Sequence, residues 1–373
     1  MGGPVSCWNG PPSFFMCPNS SHNPAPALIG MEHTDLVKLC HSAGVKPVHA
    51  DRINAWVFRH GVTNIHDIPE LPQTLYDYLD THVSQLKPNC VANRKADDGT
   101  HKMLLRMPDG KEIETVLIPG PGRLTQCIST QVGCAAGCKF CLTATAGLTR
   151  NLSAAEMVAQ VMLAREKSEQ EIRNLVLMGM GEPLHNYDEV ARFVRIVTDP
   201  MGFAFSPRRV TLSTSGLVPA IYRMIEDELP CNLAVSLNAT TDEVRSAIMP
   251  INSKYPIAEL MNAVRDYIGV KSRKRVLIEY VMLKGVNDSI DDAERLCELL
   301  DGLGCTVNLL PFNPFPGSGF QRPNDATISE FNARLSKASL VTVVRESKGD
   351  EISAACGQLK TEVAERRKRT PVA

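Results

Sequence analysis

Short apolar runs recur along this chain, and amphipathic stretches separate them. LTQCIST, NLVLMGM, RVTLSTS, CNLAVSLN, VLIEYVML and CTVNLLPF are each rich in Val, Leu or Ile and bounded by turn residues, the signature of buried strands. Between them, SAAEMVAQVMLAREK, DEVARFVRIV, VPAIYRMIEDE, IAELMNAVRDYI and IDDAERLCELLDGL place apolar residues at helical spacing. Strand–helix alternation of this kind predicts an α/β fold whose parallel sheet closes partly into a (β/α)6 barrel. In such folds the chemistry collects at the carboxyl ends of the strands.

The chain ahead of the barrel reads differently. From about Glu32 to Val91 the pattern is helical: HTDLVKLCHSAG, HADRINAWVFRHG and LPQTLYDYLDTHVSQL, each closed by a Gly- or Pro-containing turn. HKMLLRM and KEIETVLIP then flank Asp109-Gly110, a hairpin signal. The first thirty residues lack Asp, Glu, Lys and Arg and are rich in Pro, Gly, Ser and Asn, which predicts disorder or an extension ahead of a start at Met31. The expected organisation is therefore an unstructured 1–30, a small helical domain over 31–91, a β-hairpin linker over 92–125, a barrel over 126–359 and a basic end over 360–373.

Composition narrows the function classes. A net charge of −1 in 373 residues gives no global field for a nucleic acid, so an RNA partner would need local patches. Two such patches are Lys271, Arg273, Lys274 and Arg275, and the run Arg366-Arg367-Lys368-Arg369; either could touch phosphate or be solvated surface. Twelve cysteines scattered through a large α/β chain fit a reducing compartment with a metal site better than a secreted scaffold. No apolar run is long enough to span a membrane.

The densest chemistry is Cys134, Cys138 and Cys141 in QVGCAAGCKFC, a C-x3-C-x2-C loop directly after the first barrel strand. Three soft thiolates can hold three irons of a cubane [4Fe-4S] cluster and leave the fourth open for a non-protein ligand. That is the arrangement of radical S-adenosylmethionine (SAM) enzymes. Structural zinc is the alternative, but zinc prefers four Cys/His ligands and no second pair stands nearby.

Other strand ends carry compatible groups. Gly181 and Glu182 lie in MGMGEP, where glycine permits close approach and a carboxylate can accept from a ligand ammonium. Ser213 ends the third strand, and Ser236 and Asn238 flank Leu237 at the end of the fourth. These hydroxyls and this amide suit a ligand's carboxylate and ribose, and each could equally cap a helix, while the amide of Asn313 after the sixth strand could read an adenine edge or ribose. Cys127, just before the metal loop, and Cys356, in AACGQL, could be buried core cysteines.

Together, TQCISTQVGCAAGCKFC, LMGMGEPL, LSTSGLVPA, AVSLNA, EYVMLKGVND, NLLPFNPFPG and DEISAACGQL closely resemble the RlmN/Cfr family of radical-SAM RNA adenine methyltransferases, nearest its adenine-C2 branch. The resemblance runs from about Glu32 to Leu359. It implies a radical-SAM barrel, a [4Fe-4S] cluster on Cys134, Cys138 and Cys141, and SAM held by Gly181, Glu182, Ser213, Ser236, Leu237, Asn238 and Asn313. It also implies that one SAM methylates Cys356 and that a second is cleaved to a radical that activates this methyl group. The activated carbon adds to an adenine, Glu114 removes the ring proton, and Cys127 closes a disulfide with Cys356 to free the product. Ribosomal RNA, with tRNA as a second substrate, and a flavodoxin or ferredoxin as electron donor would be the partners of a cytoplasmic, monomeric enzyme.

Asn238 departs from the family, which usually carries His there, and LTATAGLTRNL after Cys141 is looser than the family's version. C8 methylation of the same base is a rival activity. A glycyl-radical activase would share the metal loop without needing Cys127 and Cys356, and a metal-stabilised RNA-binding protein would need no catalysis.

Overall fold

The computed structural model describes residues 25–86, 89–270 and 276–359. Ten strands form one sheet: β1 (Asn89–Lys95), β2 (His101–Arg106), β3 (Glu112–Gly120), β4 (Arg123–Cys127), β7 (Ile172–Leu177), β8 (Val210–Thr214), β9 (Asn232–Ser236), β10 (Val276–Met282), β11 (Cys305–Pro311) and β12 (Val341–Val344). β5 (Gln131–Gly133) and β6 (Leu148–Asn151) make a separate antiparallel ribbon that brackets the metal loop. From β1 to β4 the pairing is antiparallel; from β4 to β12 it is parallel, with neighbours in chain order apart from the ribbon.

Each parallel step is bridged by helix, as parallel pairing requires. α4 (Ala154–Lys167) links β4 to β7, α5 (Tyr187–Thr198) links β7 to β8, and α6 (Val218–Glu226) links β8 to β9. α7 (Asp242–Ile248) and α8 (Ile257–Val270) precede β10, α9 (Ile290–Leu300) precedes β11, and α10 (Asp325–Lys337) precedes β12. All six expected barrel strands are present, and β12 extends the curved sheet by one. Helix starts follow local capping: Ser153 accepts the Glu156 N–H while Glu156 reaches back, and Ser289 with Asp292 repeats the device.

The helical layer comprises α1 (His33–Ser42), α2 (Val48–Asn54) and α3 (Gln73–His82). It shares one apolar core with the barrel: Leu36, Ile53 and Phe58 are fully buried in the same cluster as Val158 and Phe193. Phe58 packs on Phe203 with ring centroids 5.2 Å apart, and Arg165 on α4 donates to the Phe58 carbonyl at 3.0 Å.

Two sequence expectations change. Residues 25–30 are not unstructured: Leu28 and Ile29 are buried, and a Cβ on Gly30 would lie 2.8 Å from the Cβ of Ala155 on α4. Two apolar side chains ending an uncharged stretch are enough to seat it against a helix. Strand structure also begins at Asn89, before the expected linker, because the Asp109-Gly110 turn joins two strands of a four-stranded meander. Both basic runs, 271–275 and 366–369, lie outside the described residues. No helix among the described residues is long and apolar enough to cross a membrane.

Because the helical layer has no core of its own, Phe58→Ala should lower the unfolding free energy by about 3–5 kcal/mol in the cooperative transition of the barrel. Denaturant melts followed by tryptophan fluorescence and by far-UV circular dichroism should move together. A separate early transition would mark the layer as independent.

Candidate active site

The metal loop is set by backbone geometry before any metal is considered. Gly133 has φ +80°, and a Cβ there would fall 1.9 Å from the Gly147 carbonyl oxygen, so only glycine closes the β5–β6 ribbon. Cys134 N–H donates to that same carbonyl at 3.0 Å, and Cys141 N–H donates to Cys138 O at 3.1 Å. Lys139 N–H, bonded to Ile248 O at 2.9 Å, pins the loop to the end of α7. Burial pushes the Cys134 thiol up to about 11, and it raises Cys138 further; each is also raised by the neighbouring loop thiols and Glu182. Two buried loop thiols that resist ionisation, Cys134 and Cys138, suit a bound cation.

Behind the loop, the strand ends are stitched by side chains. Glu182, buried after β7, accepts the Leu184 N–H at 3.0 Å and the Ser215 N–H at 2.7 Å, joining the ends of β7 and β8. Gly181, at φ +110°, lets its own backbone lie against Gln131, whose side chain accepts the Glu182 N–H at 2.9 Å. Ser213 and Ser236 are half-buried at the ends of β8 and β9. Leu237 is fully buried, with its N–H on Glu279 O and its carbonyl taken by Arg245, so its backbone belongs to the frame. Asn313, after β11, donates to Ser347 Oγ.

The remaining groups converge on this mouth from both ends of the chain. Cys127 ends β4 opposite Val116 of β3, and Glu114 lies two residues along on β3, buried and paired with Lys102 at 3.0 Å. The segment carrying Cys356 lies on the metal loop: Leu142 N–H donates to Gly357 O at 2.6 Å and Thr143 Oγ1 to Leu359 O at 2.6 Å. Burial, followed by the charge of Cys356, pushes the Cys127 thiol far up. Cys356 reaches the surface, yet desolvation of its thiol, with Glu279 adding and Arg345 opposing, raises it to about 11. Both are free thiols.

Comparison with known proteins fits this arrangement. The Radical SAM superfamily matches residues 128–300. The chain is 46% identical over 350 residues to the dual-specificity RNA methyltransferase RlmN of Rhodospirillum rubrum, spanning 91% of this chain and 82% of that protein. It is 45% identical over 339 residues to RlmN of Pelobacter propionicus, spanning 88% and 96%. The chain belongs to the RlmN family of radical SAM RNA methyltransferases. A radical SAM methyltransferase from Sphaerobacter thermophilus shares the fold with a TM-score of 0.84 and 44% identity, covering 90% of this chain and 99% of that one.

The family's cofactors are a [4Fe-4S] cluster and SAM, and the residues of this RlmN-family chain suit both. The loop thiols sense one another's charge without closing on a single point among the described residues. A cubane, which takes each thiolate on a different iron, suits that spread. For SAM, Ser215 Oγ at the end of β8 is a buried hydroxyl lacking a protein partner, beside Glu182 and Ser213.

Asn238, the departure from the RlmN pattern, has φ +59°, a conformation that Asn tolerates. Its Oδ1 accepts the Val281 N–H at 2.8 Å and its carbonyl accepts from Asn287 at 2.7 Å, so the amide ties β9 to β10. Sequence reasoning missed Arg245, fully buried on α7, whose guanidinium donates to the carbonyls of Ser215, Ser236 and Leu237 at 2.7–3.1 Å and to Asn252 at 3.0 Å. Burial lowers it to about 10, against the pull of Cys138. The only signal was an arginine on the apolar face of a short helix. Glu279, buried beside Asn308 in the barrel, was missed as well, and burial raises its carboxyl.

Since burial raises Cys356, its thiolate forms only as pH climbs towards about 11. In metal-free protein, alkylation at Cys356 should therefore grow about tenfold per pH unit above neutrality. Mass spectrometry of the alkylated peptide measures this, and a plateau near about pH 8.5 would show an ordinary solvated thiol.

Proposed function

We propose that this enzyme methylates C2 of an adenosine in ribosomal RNA, and of an adenosine in tRNA, through a methyl-cysteine on Cys356. The observation that carries this reading is the meeting of two free thiols, Cys127 and Cys356, with a buried carboxylate, Glu114, at the mouth that holds the metal loop. A radical SAM barrel needs the loop alone to cleave SAM; the thiol pair and the carboxylate are what a carbon–carbon bond to an aromatic ring requires in addition.

An adenine ring carbon is a poor nucleophile, and the cluster and SAM provide the one-electron chemistry and the methyl group that it needs. In this reading Cys134, Cys138 and Cys141 hold the cluster. Glu182, Ser213, Ser236 and Asn313 face SAM from the strand ends, and Gly181, Leu237 and Asn238 shape the backbone around it. Cys356 receives the methyl group and presents it to the base. Glu114 takes the proton from the substituted ring carbon. Cys127 then gives up its proton and attacks the Cys356 sulfur. The sulfur–carbon bond breaks with its electron pair on the methylene, which takes a proton to become the methyl group. The odd electron of the adduct passes to the electron-transfer partner, and a disulfide remains for an external reductant to open. The desolvation of Cys127 keeps that thiol protonated and quiet until its partner sulfur is activated.

The helical layer over 31–91 would dock RNA, with the two basic runs as phosphate contacts. A flavodoxin or ferredoxin would deliver electrons, and the enzyme would act as a cytoplasmic monomer. Mass spectrometry of digested rRNA and tRNA after anaerobic reaction tests the activity: 2-methyladenosine supports it, and 8-methyladenosine would transfer the chain to the rival regiochemistry.

Replacing any one of Cys134, Cys138 or Cys141 by Ala should abolish iron loading and SAM cleavage together. A full cluster in any of these variants, read by iron content and visible absorbance, would mean that the loop has another role.

The two outer cysteines must fail differently. Cys356→Ala removes the methyl carrier, so no protein–RNA species should form. Cys127→Ala removes the thiolate that attacks sulfur, so adenosine should stay tethered to Cys356 by a methylene and RNA should migrate with protein on a denaturing gel. Normal turnover in both variants would sink the methyl-cysteine route.

A further inference from the structure

The loop that bears Cys356 is docked on the antiparallel meander by several contacts, and one of them reaches further than the others. Gly349 N–H donates to Asp98 Oδ2 at 3.0 Å, Asp97 N–H donates to Glu351 Oε1 at 2.6 Å, and Lys348 Nζ donates to Pro119 O at 2.9 Å. These hold the turn at its near end. Deeper, Lys102 on β2 donates to the carbonyl of Ser353, three residues before Cys356, at 3.1 Å. The same ammonium pairs with Glu114 Oε1 at 3.0 Å, and both side chains are more than nine-tenths buried. Ser353 holds φ +52°, a left-handed conformation that turns the chain towards Cys356.

The register explains the pair. Lys102 stands opposite Val116, and Glu114 opposite Leu104, so the two charges are diagonal neighbours on one face of the β2–β3 ladder. A buried ammonium is costly unless every donor finds a partner, and here the partners come from two different pieces of chemistry. One is the carboxylate assigned to take the ring proton; the other is the backbone of the segment that carries the methyl group.

We propose that Lys102 is a positioning residue for RNA methylation, holding Glu114 in a fixed relation to the Cys356 segment so that base and methyl carrier meet the adenine together. This rests on the reading of Glu114 as the proton acceptor. Lys102 lies outside the metal loop and the strand ends assigned to SAM, and the Cys356 segment keeps its other anchors at Asp98, Leu142 and Thr143 when the lysine is lost, so methylation of Cys356 survives that loss. It acts on the RNA step alone. Once Glu114 accepts the ring proton and becomes neutral, Lys102 keeps its bond to Ser353 O and loses its ion-pair partner.

The test separates the two half-reactions in full-length, cluster-loaded protein, with methyl-Cys356 read by peptide mass spectrometry and methylated adenosine by nucleoside analysis. Lys102→Met should leave Cys356 methylation near the parent level while RNA methylation falls by about 10²-fold or more. Lys102→Arg, which keeps charge and donors, should restore most of the RNA step. In a Glu114→Gln background, Lys102→Met should cost far less than it does alone, because most of its effect runs through the carboxylate. If Lys102→Met does not fold, Lys102→Gln, which keeps a donor for Ser353 without the charge, takes its place.

Three results would overturn the proposal: parent-level RNA methylation without the lysine, losses that multiply with those of Glu114→Gln, or a parallel fall in Cys356 methylation. Normal RNA methylation by Glu114→Gln itself would instead remove the reading of Glu114 and leave the ion pair as architecture.

Discussion

A parallel sheet that stops must find partners for the backbone groups left at its carboxyl edge, and in this enzyme charged and amide side chains do that work. Glu182 takes N–H groups from the segments after β7 and β8. Arg245 gives its donors to carbonyls after β8 and β9, and Asn238 with Asn287 ties β9 to β10. The chain needs these groups to end its strands cleanly. Once there, they form a rim of fixed charge and directed dipoles around the mouth of the barrel.

The rim also sets the electrostatic character of the metal loop. Glu182 raises Cys134 and Cys138, while Arg245 lowers Cys138, so an anion and a cation of the frame act on the same sulfur with opposite sign. In a medium of low polarity these charges are strongly felt. Arg245 lies where the carbonyls of three strand-end residues surround it, and these dipoles let a full positive charge stay inside. Architecture and reactivity are therefore carried by the same side chains.

Much of this was legible in the order of the residues. Strand runs, the metal loop and GEP are local patterns with a local cause: burial on both faces of a parallel strand, ligand spacing, and glycines where the chain must turn. What escaped was non-local. Lys102 and Glu114 are twelve positions apart and meet only because the tight turn over Pro108, Asp109 and Gly110 sets the register of β2 against β3. α10 was overlooked because its apolar face is narrow, with Ile328, Phe331 and Leu335 buried among polar neighbours. Leu237 and Asn238 read as ligand contacts by position, yet their hydrogen bonds run into the frame, a distinction that only tertiary structure can draw. The helical layer looked separable because its amphipathic pattern is complete; its buried side chains in fact join the core of the barrel, with Phe58 packed on Phe203.

The two bonds between the Cys356 segment and the metal loop join residues separated by as many as 216 positions. Synthesis from the amino end therefore delivers the cysteine loop long before the segment that roofs it. Linkage makes the relation mutual: whatever stiffens the loop tightens the seal, and whatever disorders the loop loosens it. Damage to the loop would in this way disarm the far end of the polypeptide as well, so that Cys356 also loses its ordered place.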